Sequence, residues 1–360
     1  MLDWLIDRLG DGSTLFLGGL MVGLIFGAAA QHSRFCLRAA TVEIHDLRPG
    51  PRMGVWLVVF FAAIAFVQGA VGLGLLDTST ARPIAATGSL SGTMLGGLMF
   101  GGGMILARGC ASRLLVLSAT GNLRALITGL LLTIVAQASL RGGLAPAREA
   151  LAGLLTIPGG PARDLGALFG LGPSEVMIGA GAILLLALLT AWRLGVGRKQ
   201  CIAALGVGLA VALGWVFTYA MTQVSFEPLE ASSVTFTGPS ADTLMGLINE
   251  RSMPMGFGIG LVPGVFAGSA LMALATREWR LQGFDGGPSM LRYFAGAALM
   301  GFGAMLAGGC AVGTGVSGGA ILALTSWLAL ASMWIGALGT EAVLSRTGPP
   351  HQAALSANRA

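Results

Sequence analysis

The stretch GGLMFGGGMILARGCA, Gly96 to Ala111, recurs 200 residues later as GAALMGFGAMLAGGCA, Gly296 to Ala311. The two copies agree at eight of sixteen positions, and both place a cysteine directly after a glycine. Each copy is apolar, with glycines that favour a break in a helix just before Cys110 and Cys310. Since membrane transporters are often built from duplicated halves that meet at the substrate path, the repeat predicts a central site containing both thiols.

The composition around this repeat is that of a membrane protein. Of 360 residues, 54% are hydrophobic and 10% are charged, and the mean hydropathy is +0.80. Soluble domains carry about 25% charged residues, so lipid rather than water is the predicted surrounding solvent. The net charge of +5 comes from basic residues in short loops. They form no continuous stripe, which argues against nucleic acid as a partner.

Apolar runs predict about nine membrane crossings. Runs of this length span about 30 Å of hydrocarbon as helices. They lie near 14–31, 53–76, 122–139, 175–193, 201–221, 255–276 and 319–341, with two shorter runs at 91–107 and 291–307. We therefore expect an all-α polytopic membrane protein with short broken helices, buried loops and internal pseudo-symmetric repeats.

The repeat also predicts the domain organisation. Residues 1–345 form one transmembrane transport domain, followed by a C-terminal tail, 346–360. Within the domain we expect a first repeat half at 14–139, a connector at 140–174 and a second half at 201–341.

A fainter likeness suggests a further division into four related quarters. GLMVGLIFGAAA, Gly19 to Ala30, aligns with GLVPGVFAGSAL, Gly260 to Leu271, at five of twelve positions. In this alignment the position of Cys36 is taken by Arg277, so three of the four quarters carry a cysteine.

The basic loops predict an orientation. Segments 31–52 and 193–199 and the pair Arg277 and Arg280 fall on one side, which should be cytoplasmic. The acidic loop 222–254 falls on the other side. We expect the N-terminus outside and the C-terminus inside. Three arginines oppose this orientation from the outer loop: Arg141, Arg148 and Arg163.

The N-terminus itself lacks the features of a cleaved leader. The first dozen residues hold three aspartates against one arginine, without the basic region of a signal peptide. We therefore expect this segment to be retained.

The four cysteines and three histidines do not form the sequence pattern of a metal site or of a dithiol redox couple. There is no C-x-x-C pair, so a zinc site or thioredoxin-type couple is disfavoured and no cofactor is expected. Most free cysteines are small buried hydrophobes, an interpretation that suits Cys201. Cys110 and Cys310 share a duplicated turn and are better candidates for function, while the residues alone leave Cys36 open. The G-x-G-x-x-G at 313–318 lacks the preceding strand that a nucleotide site requires.

Motifs around the three remaining cysteines resemble one family. They are F-C-L-R-A-A (35–40), A-R-G-C-A-S-R (107–113) followed by G-N-L-R (121–124), and A-G-G-C-A-V-G-T-G-V-S-G-G (307–319) followed by S-W-L-A-L (326–330). Together they resemble the YeeE/YedE family of bacterial inner-membrane proteins over about residues 15–340.

The resemblance implies uptake of an inorganic sulfur compound, thiosulfate above all, rather than enzymatic activity. It implies pseudo-symmetric repeats with central buried loops, and it carries the family's cysteines to Cys36, Cys110 and Cys310. It also implies a cytoplasmic sulfur-carrier or rhodanese-like partner and a place in the bacterial cytoplasmic membrane.

A thiosulfate path needs compensating charge, because a bare dianion in hydrocarbon is costly. Four arginines lie within three residues of Cys36 or Cys110, and they serve either this purpose or as cytoplasmic anchors. The predicted path residues are Cys36, Cys110, Cys310, Arg34, Arg38, Arg108, Arg113, Gly109 and Gly309.

Alternatives remain open at this point. The thiols contact the substrate sulfur transiently or form a persulfide with it. The substrate is thiosulfate or a related sulfur or selenium species. A membrane protein that passes electrons through its cysteines is the remaining alternative.

Overall fold

The computed structural model describes residues 2–225, 228–249, 251, 253, 255–283 and 287–347. The predicted tail lies almost wholly outside these residues, as do Glu227 and Glu250 of the acidic loop. The first part of the chain holds α1 (Leu2–Leu9), α2 (Asp11–Ser33), α3 (Leu37–His45), α4 (Pro51–Gly72), α5 (Arg82–Ala85), α6 (Leu90–Leu106), α7 (Ala111–Ala119) and α8 (Leu123–Arg141).

A connecting region follows and leads into the second part. It holds α9 (Ala145–Ala152), a 3-10 turn (Pro161–Arg163), α10 (Leu165–Leu168) and α11 (Pro173–Arg193). The second part holds α12 (Arg198–Val224), α13 (Thr237–Asn249), α14 (Phe257–Ala275), α15 (Gly287–Ala307), a π-helix (Ala311–Gly318) and α16 (Leu324–Thr347). Two short strands, β1 (Gly88–Ser89) and β2 (Thr156–Ile157), pair antiparallel.

Nine helical stretches of the described residues are long and apolar enough to cross a membrane. Three of them are broken helices: Asp11–His45, Leu90–Ala119 and Met290–Gly318. Each break falls just before or at one of the cysteines that the sequence singled out. The prediction of an all-α polytopic membrane protein with about nine crossings and broken helices is confirmed.

The two copies of the glycine-rich repeat pack against each other. A Cβ at Gly96 would approach the Ala307 amide N to 2.5 Å, and a Cβ at Gly296 would approach the Ala107 amide N to 2.6 Å. The contact is reciprocal and antiparallel, since the start of each helix lies against the end of the other. Only glycine allows backbones to approach this closely.

The glycines of α2 and α14, whose likeness suggested the four quarters, pack against each other. The Gly23 and Gly264 Cα atoms lie so close that a Cβ added to Gly23 would come within 3.0 Å of the other Cα. Gly19 and Gly27 face Phe257 and Val265 in the same parallel order. These two faces look alike because they are the two sides of one parallel contact. The contact by itself accounts for the likeness, so the glycines do not require a duplicated unit.

The contacts relate the elements in chain order instead. The short helix α3 packs on α4 and α16, and the short helix α13 packs on α14 and α8. Likewise α6 packs on α16 while α15 packs on α8. These contacts support an inverted-topology repeat, the arrangement of many transporters. In it α2, α3, α4, α6, α7 and α8 would match α12, α13, α14, α15, the π-helix and α16. The predicted halves 14–139 and 201–341 stay a proposal that these contacts support.

Helix α11 stands outside this correspondence. It packs along α4, and most of its side chains face outward. Arg277 is also not where the fainter repeat placed it: it is an exposed residue with a φ of 56° just after α14, not a counterpart of Cys36.

Candidate functional site

Cys110 lies in the turn between α6 and α7. Arg108 adopts a left-handed φ of 57°, which ends α6, and the chain then extends so that Cys110 precedes the first residue of α7. The side chain is buried, with 2% of the residue exposed. Its Sγ lies 3.3 Å from the Ser112 Oγ, so a hydroxyl fixes the orientation of the thiol.

Cys310 occupies the corresponding turn between α15 and the π-helix. Here Gly308 and Gly309 have φ values of 85° and 154°, and Cys310 is 1% exposed. The amide of Gly313 donates a hydrogen bond to the Cys310 Sγ over 3.4 Å. The G-x-G-x-x-G motif at 313–318 lies in this π-helix, which follows a helix and not the strand that a nucleotide site requires.

The two predicted path glycines differ in what they require. A Cβ at Gly309 would lie 2.5 Å from the Thr314 Oγ1, and its φ already favours glycine. A Cβ at Gly109 would meet Leu114 Cδ2 at an ordinary 3.5 Å. Only Gly309 is therefore demanded by the geometry of its turn.

Cys36 completes the cluster from a third turn, between α2 and α3. Arg34 ends α2 with a φ of 57°, and the half-buried Cys36 precedes the first residue of α3. The Cys110 thiol lies within electrostatic range of both Cys36 and Cys310. Three turns that are distant in sequence thus place three thiols together. Cys201 lies apart, in the first turn of α12 and partly packed on the hydrophobic core.

Two of the four predicted arginines belong to this cluster. Arg38 and Arg113 both lie within electrostatic range of Cys36, and Arg113 also reaches Cys110. The Arg38 Nε and one Arg113 Nη are buried and find no hydrogen-bond partner among the described residues. A buried guanidinium N–H without an acceptor is costly, so these groups are suited to an anion that supplies one.

Arg34 lies at the rim and is engaged elsewhere. Its Nη2 donates to the Glu278 Oε1 over 2.8 Å, and Gln31 Nε2 donates to the other carboxylate oxygen over 3.0 Å. The Arg34 guanidinium thereby lowers the pKa of the Glu278 carboxyl below its ordinary value. This contact ties the end of α2 to the end of α14.

Arg108 is exposed and packs on an aromatic ring, although it lies within electrostatic range of Arg38. Its Cζ lies 5.9 Å from the ring centroid of Tyr293, and the Cζ of Arg124 lies 5.0 Å from the same ring. Arg124 additionally donates to the Tyr293 hydroxyl over 3.2 Å. The structure therefore separates Arg38 and Arg113, which are half-buried and each have one enclosed guanidinium nitrogen, from the exposed Arg34 and Arg108.

A fourth turn, which the sequence motifs did not predict, also lies next to the π-helix. An extended segment before α13 is buried at Ser233, Val234 and Phe236, and the Ser317 Oγ of the π-helix donates to the Val234 carbonyl over 2.6 Å. Thr237 is fully buried, and its hydroxyl has no hydrogen-bond partner within the described part of the chain. The sequence did contain a signal for this turn. Phe35-Cys36 and Phe236-Thr237 are 201 residues apart, close to the spacing of the repeat.

The arrangement offers thiols, guanidinium groups and hydroxyls rather than a metal site. Across the described ranges, no three His, Cys, Asp or Glu side chains are arranged to hold a metal ion. All four cysteines lie in those ranges as free thiols. The cluster is therefore equipped to contact an anion that has a polarizable atom.

Comparison with known proteins places these features in a wider group. A family profile described as sulphur transport matches residues 32–339. The thiosulfate transporter TsuA of Escherichia coli K12 is 26% identical over 342 residues, covering 90% of this chain and 93% of that protein. A protein of the same name from Spirochaeta thermophila is 26% identical over 326 residues, covering 86% of this chain and 93% of its own length.

Proposed function

The chain belongs to the sulphur transport family, and from this premise we propose that it takes up thiosulfate along a path lined by Cys36, Cys110 and Cys310. Two relatives that span nearly its whole length are named thiosulfate transporters. The observation that carries the proposal is the meeting of three free thiols with the buried guanidinium groups of Arg38 and Arg113.

The chemistry of thiosulfate suits this combination. It is a dianion with three hard oxygens at one end and a soft sulfur at the other. The guanidinium N–H groups can donate to the oxygens, which offsets the cost of bringing the charge among apolar side chains. A neutral thiol is a weak donor with a polarizable sulfur, so it contacts the terminal sulfur without holding it strongly. Weak successive contacts are what conduction requires.

A covalent relay is the alternative at the same residues. In that route a thiolate attacks the outer sulfur of thiosulfate, a sulfur–sulfur bond forms, and sulfite leaves with the bonding electron pair. The product is a persulfide on the cysteine. Mass spectrometry of protein incubated with thiosulfate distinguishes the two routes, since only this one leaves a cysteine one sulfur atom heavier.

The proposed location is the bacterial cytoplasmic membrane, with the N-terminus outside and the C-terminus inside. The three outer arginines that oppose this orientation are engaged by the protein. Arg163 donates to the Thr325 Oγ1 over 2.8 Å, and Arg148 donates to the Ser139 carbonyl, also over 2.8 Å. Arg141 lies within electrostatic range of Asp242. Because these arginines interact with other residues of the protein, their position on the outer side is explained without reversing the proposed orientation.

The proposal extends to a cytoplasmic partner that receives the sulfur, a sulfur-carrier or rhodanese-like protein. Its support is the resemblance of the motifs around the three cysteines. Co-purification of candidate carriers with the intact membrane protein tests it, with loss of binding after removal of the cytoplasmic loops as the expected control.

The experiment for the substrate is uptake of labelled thiosulfate by bacteria that lack their own sulfate and thiosulfate importers. We expect saturable uptake that unlabelled thiosulfate suppresses and that sulfate suppresses weakly. Stronger suppression by sulfide or by an inorganic selenium anion would instead assign the path to that species. A well-inserted protein that takes up none of them would contradict transport.

A further inference from the structure

A buried carboxylate lies within electrostatic range of Arg38, one of the two arginines of the thiol cluster. Glu341 is on the membrane-spanning helix α16 and is 4% exposed. Helix α16 packs on α3, which carries Arg38 in its first turn. Arg38 lies within electrostatic range of Cys36 and of Glu341. Ionisable groups inside a membrane protein are costly and are commonly part of the substrate pathway.

We propose that Glu341 is a release-determining residue, an internal counter-anion that competes with the transported anion for Arg38. The inference rests on the proposed function, since it requires an anion to pass Cys36 and Arg38. It assigns to Glu341 a role that the motifs around the cysteines do not suggest.

The balance of charge explains why such a residue is needed. Arg38 and Arg113 both lie near Cys36, and Arg52 lies within electrostatic range of both, so the surroundings of Cys36 carry an excess of positive charge that attracts a thiosulfate dianion. In a site of low dielectric constant this excess would bind the dianion tightly, and tight binding slows release. A carboxylate next to Arg38 lowers the net charge by one. As the anion leaves, Glu341 takes its place beside the guanidinium group.

The corresponding place in the second half has its charges exchanged. There the short helix α13 carries Asp242, which lies within electrostatic range of Arg141 at the end of α8. Burial raises the pKa of the Asp242 carboxyl, and Arg141 acts in the opposite direction. Since α13 and α8 match α3 and α16 in the proposed repeat, one half presents a guanidinium from its short helix and the other presents a carboxylate. Only the short helix of the first half presents a guanidinium that could hold the anion, so only Arg38 needs a carboxylate that promotes release.

The test is the concentration dependence of thiosulfate uptake by Glu341→Gln. Removing the competing charge should lower KM by about tenfold, because an anion near the pair no longer meets a fixed negative charge. The maximal rate should fall as well, since release slows. Purified Glu341→Gln should also bind thiosulfate about tenfold more tightly, measured by the ligand-dependent rise of its melting temperature.

A purely structural role for Glu341 would give a different result. The maximal rate would fall with an unchanged or raised KM, and binding by the purified protein would not tighten. That result overturns the inference. Glu149→Gln is the matched control, because Glu149 is an exposed connector carboxylate that pairs with Arg148, and this change should leave both KM and rate unaltered.

Two further arms keep the test decisive. If Glu341→Gln does not insert, Glu341→Asp replaces it, since a shorter carboxylate lies farther from Arg38 and should lower KM in the same direction. An unchanged KM in that variant overturns the inference. Absence of saturable uptake by the wild type removes the proposed function and this inference with it, whereas normal wild-type uptake with unaltered variants removes the inference alone.

Discussion

The two proposed halves of the molecule present different chemistry at their central turns. In the first half Cys36 is followed by Arg38, and Cys110 is followed by Arg113. At the corresponding positions of the second half, Thr237 takes the place of Cys36 and Pro239 that of Arg38, and Cys310 is followed three residues later by Gly313. The first half thus supplies guanidinium groups, whereas the second supplies the Thr237 hydroxyl and the Gly313 amide, which donates to the Cys310 Sγ.

The difference shows how a duplicated fold becomes directional. The backbones of the two cysteine turns differ, since Arg108 has a φ of 57° whereas Gly308 and Gly309 have φ values of 85° and 154°, but Cys110 and Cys310 still lie within electrostatic range of each other. Side chains then decide where an anion is held. In the proposed orientation the guanidinium groups lie towards the cytoplasm, which places the stronger anion site on the side where an uptake protein releases its substrate.

The largest effect separates the two cysteine turns. Gly309→Ala forces a side chain into a φ of 154° and against the Thr314 Oγ1, so the protein should lose about 3 kcal/mol of stability or more. Gly109→Ala meets no such contact and should cost less than about 1 kcal/mol. Thermal unfolding of both variants in detergent measures the difference, and equal melting temperatures would contradict the account of these turns.

The next effect separates the half-buried arginines from the exposed ones. Arg113→Gln removes an unpartnered guanidinium from the thiol cluster, so uptake should fall by about 10- to 100-fold. Arg108→Gln removes a group that packs on Tyr293 and should change uptake by less than about threefold. Labelled uptake at a concentration below KM measures both, with membrane insertion checked by immunoblot. Similar losses in the two variants would contradict the division.

A smaller effect tests the second half alone. Thr237→Val replaces a buried hydroxyl without a partner among the described residues by a methyl group, so stability should rise by about 1 kcal/mol. If the hydroxyl contacts the passing anion, uptake should fall severalfold at the same time. Thermal unfolding and uptake are measured on the same preparation. A more stable protein with unaltered uptake would remove Thr237 from the path.

The smallest effect concerns the rim. The pKa of Glu278 is lower in the folded protein than its ordinary 4.5, so the contact with Arg34 stabilises the fold above that pH and is lost as the pH falls below it. Because the Arg34 side chain is 64% exposed, Glu278→Gln should cost no more than about 1 kcal/mol. Uptake should stay within about twofold. A loss as large as that of Arg113→Gln would place the rim pair on the path.

The helices and the thiols were predictable because both depend on local patterns. Apolar runs of membrane-spanning length set the number of helices, and the duplicated Gly-Cys turn marked Cys110 and Cys310. The arginine roles were not predictable in this way. Arg34 and Arg38 are equally near Cys36 in sequence, but Arg34 meets Glu278, 244 residues away, and only the folded chain shows this.

The relation between the halves shows the same limit. The glycine faces of α2 and α14 resemble each other in sequence, yet they are complementary sides of one contact. The likeness of Phe35-Cys36 to Phe236-Thr237 is weaker in sequence but agrees with the correspondence of elements that the helix contacts support. A spacing near 200 residues was therefore a better guide to which elements correspond than the number of identical residues.

Thiosulfate uptake by single alanine variants of all four cysteines tests most directly whether the thiols line the transport path. Cys36→Ala, Cys110→Ala and Cys310→Ala should each lower uptake by at least about tenfold without loss of inserted protein. Cys201→Ala, which lies apart from the cluster, should transport like the wild type. Uptake that survives each of the first three changes, or that falls equally in all four, would contradict a path lined by these thiols.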